Sequence, residues 1–337
     1  MSVGLYGNIR EEAAEMEKAK EWLELNGEET ETVSQLTIHP HRVGLESSFY
    51  EDFALRGIRV DLVDPGLVTC TFKVPPRLTD KNGNLANGAI VNLIDVVGGA
   101  VVHIEGLPLS VSVDMSISFV STAKLNDELE ITSRVLGQRG GYSGTIVLIR
   151  NKATGELLVR EISEYQIESE NQKMEKARDC LELNKEESET VSRLTIHPHR
   201  VVGVDSSFYE DFALRGIRVD RVEPGLVSCT FKVPPRLTDN NGNLANGAIA
   251  NLVDEVGGAV VYAEGLPMKV SVDMSISFVS SAKLDDELEI TSRVLGQRGG
   301  YSGTIVLMRN KVTGETTPHT SVRALVFVVS FATDLLL

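Results

Sequence analysis

The sequence contains the same unit twice, and this duplication limits the folds that are open to the chain. The block Ser47–Asp61 (SSFYEDFALRGIRVD) returns unchanged as Ser206–Asp220, 159 residues later. The block Ser112–Ser121 returns at the same offset as Ser271–Ser280. Two long units are two copies of a domain, since a solenoid needs several short repeats. We therefore expect two domains of one fold, residues 1–166 and 167–337, and two matching sites.

The charge and the cysteines narrow the class of protein. A formal net charge of −15 argues against wrapping nucleic acid or docking on an anionic membrane. No stretch reaches the roughly 18 apolar residues of a membrane span, so we expect no membrane insertion. The N-terminus lacks the apolar core of a signal peptide, and the three cysteines have no metal-ligand spacing. These features predict a cytoplasmic protein without a metal site.

The periodicity of one copy predicts one buried helix within a set of antiparallel strands, an α+β arrangement. Residues 85–105 are apolar on nearly every side, which is typical of a buried helix. A curved antiparallel sheet wrapped around this central helix, the hotdog architecture, fits that order best. The other predicted elements are a charged helix at Asn8–Leu25, loops at the two HPHR segments (39–42 and 197–200), a short helix at Phe49–Leu55, a hairpin of 58–63 with 67–74, and strands at 109–121, 128–138, 142–151 and 157–165.

A carboxylate lies in the middle of the apolar helix of each copy. Asp95 occupies this place in NLIDVVGG, and Asp254 occupies it in NLVDEVGG. Burying an unpaired charge costs several kcal/mol, so such a residue needs a reason. Two interpretations stay open. The aspartate is either hydrogen-bonded at a domain interface, or it is a general base or nucleophile whose pKa is set by partial burial.

Two neighbouring features fit the catalytic interpretation. The loop that begins at Asp80 leads into the helix N-terminus, where the backbone N–H groups of Asn87 and Gly88 suit a developing oxyanion. Plain capping of the helix by Asn84 is the simpler interpretation, and the two can hold together. Ser112 lies in SVSVDMSISF, where strict alternation points it away from its own core, toward the partner domain or water.

Segments of both copies resemble the hotdog acyl-CoA thioesterases of the thioesterase superfamily member 2 / acyl-CoA thioesterase 13 group. The matching segments in copy one are NGNLANGAIVNLIDVVGGA, SVSVDMSISFVSTAKLNDELEI and RNKATGEL, and they recur in copy two. The resemblance implies hydrolysis of acyl-CoA to a fatty acid and CoA, with CoA entering only as part of the substrate and no separate cofactor. It also implies that the two copies pair within the chain, so that each site draws on both; a further homodimer stays open.

By this resemblance the catalytic carboxylates are Asp95 and Asp254, and the serines that orient water are Ser112 and Ser271. The helix-start position whose N–H polarises the carbonyl falls at Asn87 and Asn246, beside Gly88 and Gly247. An upstream family asparagine falls at Asp80 and Asp239. The family usually has His-Gly-Gly at the helix start, but this chain has alanine at 86 and 245. These departures leave open a weaker activity, a changed substrate preference, or an acyl-CoA- or lipid-binding protein without turnover.

Two further expectations concern charge and the C-terminus. The CoA phosphates need cations, and the candidates are Arg134, Arg139, Arg293, Arg298, Lys152 and Lys311. The copies diverge after Glu156 and Glu315, and the tail 316–337 shares no pattern with copy one. Its apolar stretch at 324–332 either replaces the closing strand or forms an exposed, aggregation-prone segment.

Overall fold

The computed structural model describes residues 48–104, 110–139, 141–167, 207–264, 269–298, 300–311 and 320–330, with residues 14, 16–20, 23–24, 33, 36, 38, 191 and 194. Within the predicted helix at 8–25, residues 14, 16–20 and 23 are helical, and Ala19 and Leu23 are buried. Both HPHR segments lie outside the described residues. The predicted boundary after residue 166 falls one residue before the end of a strand, and the domain limits stay a prediction.

Copy one forms the predicted elements in the predicted order. Pro65-Gly66 turns the first hairpin, and the φ of 69° at Gly66 is a conformation that glycine adopts at little cost. The elements of copy one are α1 (Phe49–Leu55), β1 (Arg59–Asp64), β2 (Leu67–Lys73), α2 (Asn87–Ile104), β3 (Ser110–Phe119), β4 (Glu128–Arg139), β5 (Tyr142–Asn151) and β6 (Leu157–Ile167).

Copy two repeats these elements and joins its strands to the same sheet. Its elements are α3 (Phe208–Leu214), β7 (Arg218–Glu223), β8 (Leu226–Lys232), α4 (Asn246–Ala263), β9 (Lys269–Phe278), β10 (Glu287–Arg298), β11 (Tyr301–Asn310) and β12 (Thr320–Ser330). The described strands form one antiparallel sheet in the order β1-β2-β4-β5-β6-β3-β9-β12-β11-β10-β8-β7. This order is symmetric about the β3–β9 pair, so the two copies are related by a pseudo-twofold axis.

Each long helix lies against the inner face of its own half of the sheet. Alternation along the strands supplies that face, as in β4, where Leu129, Ile131 and Ser133 are buried and their neighbours are more exposed. Helix α2 contacts β2, β3, β4, β5 and β6, and it is apolar on nearly every side because it is covered by the sheet and by α4. The predicted α+β class with a central buried helix is confirmed.

The two copies meet through strands, helices and aromatic rings. In the β3–β9 pair, Ile117 lies opposite Met274. Helices α2 and α4 contact each other. The short helices α1 and α3 stack Phe53 on Phe212 with ring centroids 4.1 Å apart. A shared sheet and a shared core make the pair of copies one folded body, so groups from both can form one site.

The divergent tail completes the sheet. β12 pairs with β11 and with β9, and Val322, Ala324 and Val326 are buried. The first of the two predicted alternatives is therefore correct for residues 320–330: they replace the closing strand after a longer connection. Residues 331–337 lie outside the described part of the chain.

Candidate functional site

The carboxylate of Asp95 is held by one side chain from each copy. Asp95 is partly buried in the middle of α2. The hydroxyl of Ser112, on β3 of the same copy, donates to its Oδ1. The side-chain Nδ2 of Asn246, at the start of α4 in the other copy, donates to its Oδ2 across 3.1 Å. Side chains from both copies therefore contact Asp95, and its catalytic role stays a prediction.

The second site repeats this arrangement with the copies exchanged. Asp254 accepts a hydrogen bond from Ser271 of its own copy at Oδ1. Asn87, at the start of α2, donates to Oδ2 of Asp254 across 3.0 Å. Two charge-assisted hydrogen bonds thus orient each carboxylate, which is a geometry suited to holding an ionised base in place.

The orientation predicted for Ser112 is wrong, and a β-bulge is the reason. In the β3–β6 pair, Ser112 lies opposite Tyr165 and Asp114 lies opposite Glu164, so Val113 is an extra residue in β3. The extra residue reverses the alternation. Ser112 is therefore buried toward its own helix, and it does not point at the partner domain or at water.

The N-terminus of each helix lies beside the carboxylate of the opposite copy. The N–H of Ile90 donates to the carbonyl of Ala86, so the N–H groups of residues 87–89 precede the first helical bond. A Cβ on Gly88 would lie 2.6 Å from the Cβ of Asn251, and one on Gly247 would lie 2.6 Å from the Cβ of Asn92. These glycines let the two helices approach closely, which brings each N-terminus to the opposite aspartate.

The loop aspartates organise the turn that leads into each helix. Oδ1 of Asp80 accepts from the backbone N–H groups of Asn82 and Asn84, both at 2.8 Å. Asp239 makes the same two contacts in copy two, also at 2.8 Å. These side chains therefore turn toward their own loops, although the charge of Asp239 still contributes to raising the pKa of Asp95.

Burial sets the electrostatics of both catalytic candidates. Desolvation raises the pKa of Asp95 above its usual range, while the hydrogen bonds from Ser112 and Asn246 lower it. Desolvation likewise raises the pKa of Asp254, against the bonds from Ser271 and Asn87. A raised pKa brings a carboxylate closer to the pH at which a general base works best.

A second set of polar groups lies beneath Asp95, and sequence reasoning did not find it. The hydroxyl of Tyr165 donates to the backbone carbonyl of Asp95 across 3.1 Å. Glu161, four residues earlier in β6, has no exposed surface and no side-chain hydrogen-bond partner among the described residues, and the backbone N–H of Val147 lowers its pKa. Burial and then the charge of Asp95 raise the pKa of Glu161 to about 9. The available signal was alternation: Val159, Glu161 and Ser163 share the buried face of β6.

The basic candidates lie away from the carboxylates. Arg134 and Arg293 are exposed on the face of the sheet opposite the helices, and Arg139 and Arg298 are exposed at the ends of β4 and β10. Lys152 and Lys311 bind Thr71 and Thr230 and form ion pairs with acidic neighbours. Their role in binding CoA stays a prediction.

Neither a metal-ligand cluster nor a membrane-spanning helix is present in the described part of the chain. No group of three or more His, Cys, Asp or Glu side chains there has the geometry to hold a metal ion. Among the helices that the structure describes, none is long and apolar enough to cross a membrane.

Comparison with known proteins adds a family and a fold. The family model described as "Thioesterase superfamily" matches residues 82–146 and 241–302, once in each copy. Human acyl-coenzyme A thioesterase 13 is 38% identical over 97 residues, which cover 28% of this chain and 69% of that protein.

Two solved structures bear on the fold alone. A conserved protein with a hot dog fold from Alicyclobacillus acidocaldarius matches with a TM-score of 0.53 at 13% identity, covering 84% of this chain and 98% of that one. An acyl-ACP thioesterase from Bacteroides thetaiotaomicron matches with a TM-score of 0.50 at 12% identity, covering 78% and 98%. Because these alignments extend over most of the chain, the prediction of two hotdog domains in tandem is confirmed.

Proposed function

Because the chain belongs to the thioesterase superfamily, we propose that it hydrolyses acyl-CoA thioesters to a free fatty acid and CoA. The proposal assigns one site to Asp95 and a second to Asp254. It is supported by the similarity to acyl-coenzyme A thioesterase 13, which extends over 69% of that relative's length. It is also supported by the geometry around the two aspartates.

The observation that carries the proposal is the pair of hydrogen bonds on each carboxylate. At the first site Ser112 occupies one oxygen of Asp95 and Asn246 occupies the other. Asn246 also begins α4, so the bond to its side chain fixes the carboxylate next to that helix N-terminus. A base and a set of oxyanion donors thus lie side by side, as acyl transfer to water requires.

The reaction follows from these groups. A water held beside Ser112 and Asp95 gives its proton to the carboxylate while its oxygen attacks the thioester carbonyl. The N–H groups at residues 246 and 247 stabilise the oxyanion of the tetrahedral intermediate, aided by the helix dipole. Collapse of the intermediate breaks the C–S bond, and the departing thiolate takes the proton from Asp95. The second site performs the same steps with Asp254, Ser271 and residues 87–88.

The ionisation of the base gives the reaction a pH dependence. Only the carboxylate form of Asp95 accepts a proton, and its pKa is raised by burial. Activity is therefore expected to fall as the pH drops through that raised pKa. The acid limb lies above the range of an exposed aspartate, and a pH profile of kcat/KM measures it.

Release of the CoA thiol from medium- and long-chain acyl-CoA tests the proposal. The double variant Asp95→Asn/Asp254→Asn should lose at least about a hundredfold in kcat, the usual contribution of a general base. Asp114→Asn, which removes a carboxylate from the exposed side of β3, is the matched control and should retain the full rate. If the unaltered protein releases thiol no faster than the double variant, the chain is not a thioesterase.

The single variants Asp95→Asn and Asp254→Asn measure each site separately. Each should retain turnover at the intact site, because the two carboxylates have separate serine and asparagine partners. Loss of all activity in one single variant would contradict two working sites.

An aspartate that attacks the carbonyl directly is the mechanistic alternative to an aspartate that activates water. The two are distinguished by single-turnover hydrolysis in ¹⁸O-labelled water. General base catalysis places the label in the fatty acid in the first turnover. Nucleophilic attack forms a mixed anhydride, and when water opens it at the aspartyl carbon, an unlabelled aspartate oxygen leaves with the fatty acid and the label stays in the protein. Label in the protein therefore identifies the nucleophilic route.

A binding protein without turnover is the rival function, and the alanines at the helix starts are the observation that favours it. Ala86 and Ala245 are buried at positions where the related family usually has histidine, so one polar contact near the thioester is missing. The alanine side chains leave the backbone N–H donors of residues 87–88 and 246–247 in place. Equilibrium binding of an acyl-CoA without release of thiol would select this function.

The remaining assignments are part of the same proposal. Arg134, Arg139, Arg293 and Arg298 would hold CoA phosphates, which charge-reversing substitutions would reveal as a rise in KM. The protein would work in the cytoplasm, where the buried thiols of Cys70 and Cys229 stay reduced. Each site takes residues from both copies of one chain, so a second chain is not needed to complete it.

A further inference from the structure

The two sites differ in the strand that lies beneath them. The strand pairing shows the equivalent positions: Val147 lies opposite Glu161 in copy one, and Val306 lies opposite Ala324 in copy two. The same registers match Ser163 with Val326 and Tyr165 with Val328. Copy one therefore has a glutamate, a serine and a tyrosine where copy two has an alanine and two valines.

Tyr165 reaches the first site because the helix above it lacks a side chain at Gly98. The hydroxyl of Tyr165 would lie 2.3 Å from a Cβ at Gly98, and it donates to the carbonyl of Asp95 across 3.1 Å. In copy two, Gly257 faces the side chains of Thr304, Val306 and Val326 at 3.3–3.4 Å. Copy two has a valine at the equivalent strand position, 328, and valine is a residue type without a hydroxyl group.

The hydrogen bond from Tyr165 to Asp95 fixes α2 relative to β3, the strand that carries Ser112. β6 is hydrogen-bonded to β3, and Tyr165 lies directly opposite Ser112 in that pair. Tyr165 therefore ties the backbone of Asp95 to the same part of the sheet that presents the Ser112 hydroxyl. At the second site, the described contacts that place the carboxylate of Asp254 come from Ser271 and Asn87.

Glu161 adds a titratable group to the first site only. On the neighbouring strands it lies between Val147 and Ile117, which are apolar. The titratable groups that face it are Asp95 from α2 and Tyr165 from its own strand. Because the pKa of Glu161 is raised to about 9, it is a neutral acid at physiological pH and becomes an anion only in the alkaline range.

We propose that Tyr165 is a positioning residue for Asp95 and that the second site lacks it, so that the two sites of this chain are catalytically inequivalent. Glu161 gives the first site an additional alkaline limit, because its ionisation places a second negative charge near Asp95 where an oxyanion must form. This inference rests on the proposed thioesterase function.

Single-site backgrounds separate the two sites. The variant Asp254→Asn reports the first site, and Asp95→Asn reports the second. In the first background, Tyr165→Phe keeps the ring but removes the hydroxyl, and kcat should fall about tenfold with little change in KM, since a loss of alignment acts on the chemical step. In the second background, the same substitution should leave both constants unchanged.

The pH profile supplies a readout that a purely structural role would not move. The first-site background should lose kcat above about pH 9, and Glu161→Gln should remove that limb while keeping the shape of the side chain. The second-site background should show no such limb. Glu164→Gln, on the exposed face of the same strand, is the matched control.

The outcomes distinguish the inference from the function on which it rests. An equal effect of Tyr165→Phe in both backgrounds, or no effect in either, overturns the inference while thioesterase activity stands. An alkaline limb that persists in Glu161→Gln overturns the role of Glu161. Absence of hydrolysis by the unaltered protein rejects the proposed function and the inference together.

Discussion

The burial of Glu161 leads to a quantitative prediction about stability, because its carboxyl has no side-chain hydrogen-bond partner among the described residues. The perturbation is Glu161→Gln, which is nearly isosteric with the protonated glutamate. In the folded protein burial raises the pKa of Glu161 to about 9 from an ordinary value of 4.5. Between these two values the folded chain keeps a proton that the unfolded chain has released.

The sign and the size of the effect on the free energy of unfolding follow from the linkage between proton binding and folding. A raised folded-state pKa stabilises the native state fully below the unfolded value, and this contribution is lost as the pH rises toward the folded value. Each pH unit within the window lowers the free energy of unfolding by about 1.4 kcal/mol for one proton. From about pH 6 to about pH 8 the unaltered protein should therefore lose about 2.7 kcal/mol relative to Glu161→Gln, which has no proton to release.

Urea denaturation at a series of pH values measures this difference. The two proteins share almost all other titrating groups, so the contributions of those groups largely cancel in the difference. Glu164→Gln is the control, since that side chain is exposed on the same strand and stays in water in both states. A stability difference that does not change with pH would show that Glu161 is ionised or solvated in the folded protein, and the reasoning would be refuted.

Three further perturbations test the packing that positions the sites. Gly98→Ala should destabilise the protein by about 1–2 kcal/mol, because the new Cβ would overlap the hydroxyl of Tyr165. Gly257→Ala should be close to neutral, because its nearest neighbours are 3.3–3.4 Å away. Thermal denaturation compares the two variants. Phe53→Ala removes a ring stacked across the pseudo-twofold axis, and a loss of about 3–5 kcal/mol in urea denaturation is expected. Deletion of residues 317–337 removes β12 and should lower the melting temperature and the solubility sharply, and an unchanged melting temperature would contradict its place in the sheet.

The helix and most strands could be predicted because their signals are local. The apolar run that became α2 and the alternation that became β4 belong to single segments, and a segment carries its own periodicity. The midpoint aspartate was also a local signal, since a charge in an apolar helix is costly wherever that helix is placed. The contacts of Asp95 agree with the expectation that such a charge needs partners, because both of its carboxylate oxygens accept hydrogen bonds.

The orientation of Ser112 could not be predicted because it depends on a bulge. Alternation counts residues along one strand, and the extra residue at Val113 exists only relative to its partner β6. The side-chain bond from Asn246 to Asp95 was missed for a related reason. It joins residues 151 positions apart, and only the close approach of the two helices at Gly247 brings them together.

The sequence of the tail 316–337 left two interpretations open, because a strand can form from many different sequences. β12 shares no pattern with β6, yet it occupies the same register, since buried positions need only apolar side chains at every second residue. Val322, Ala324 and Val326 meet that condition. The sequence therefore permitted a strand, but only the unpaired edges of β11 and β9 made one necessary.

That comparison between β6 and β12 bears on why copy one contains Glu161 and Tyr165. Burying an acid without a side-chain partner is costly, and copy two builds the same strand without it, so the fold does not require the glutamate. In a symmetric homodimer any substitution appears at both sites, whereas the fused copies can change independently. We therefore propose that this group, which the sheet does not need and which lies beneath only one of the two aspartates, acts on the chemistry of that aspartate.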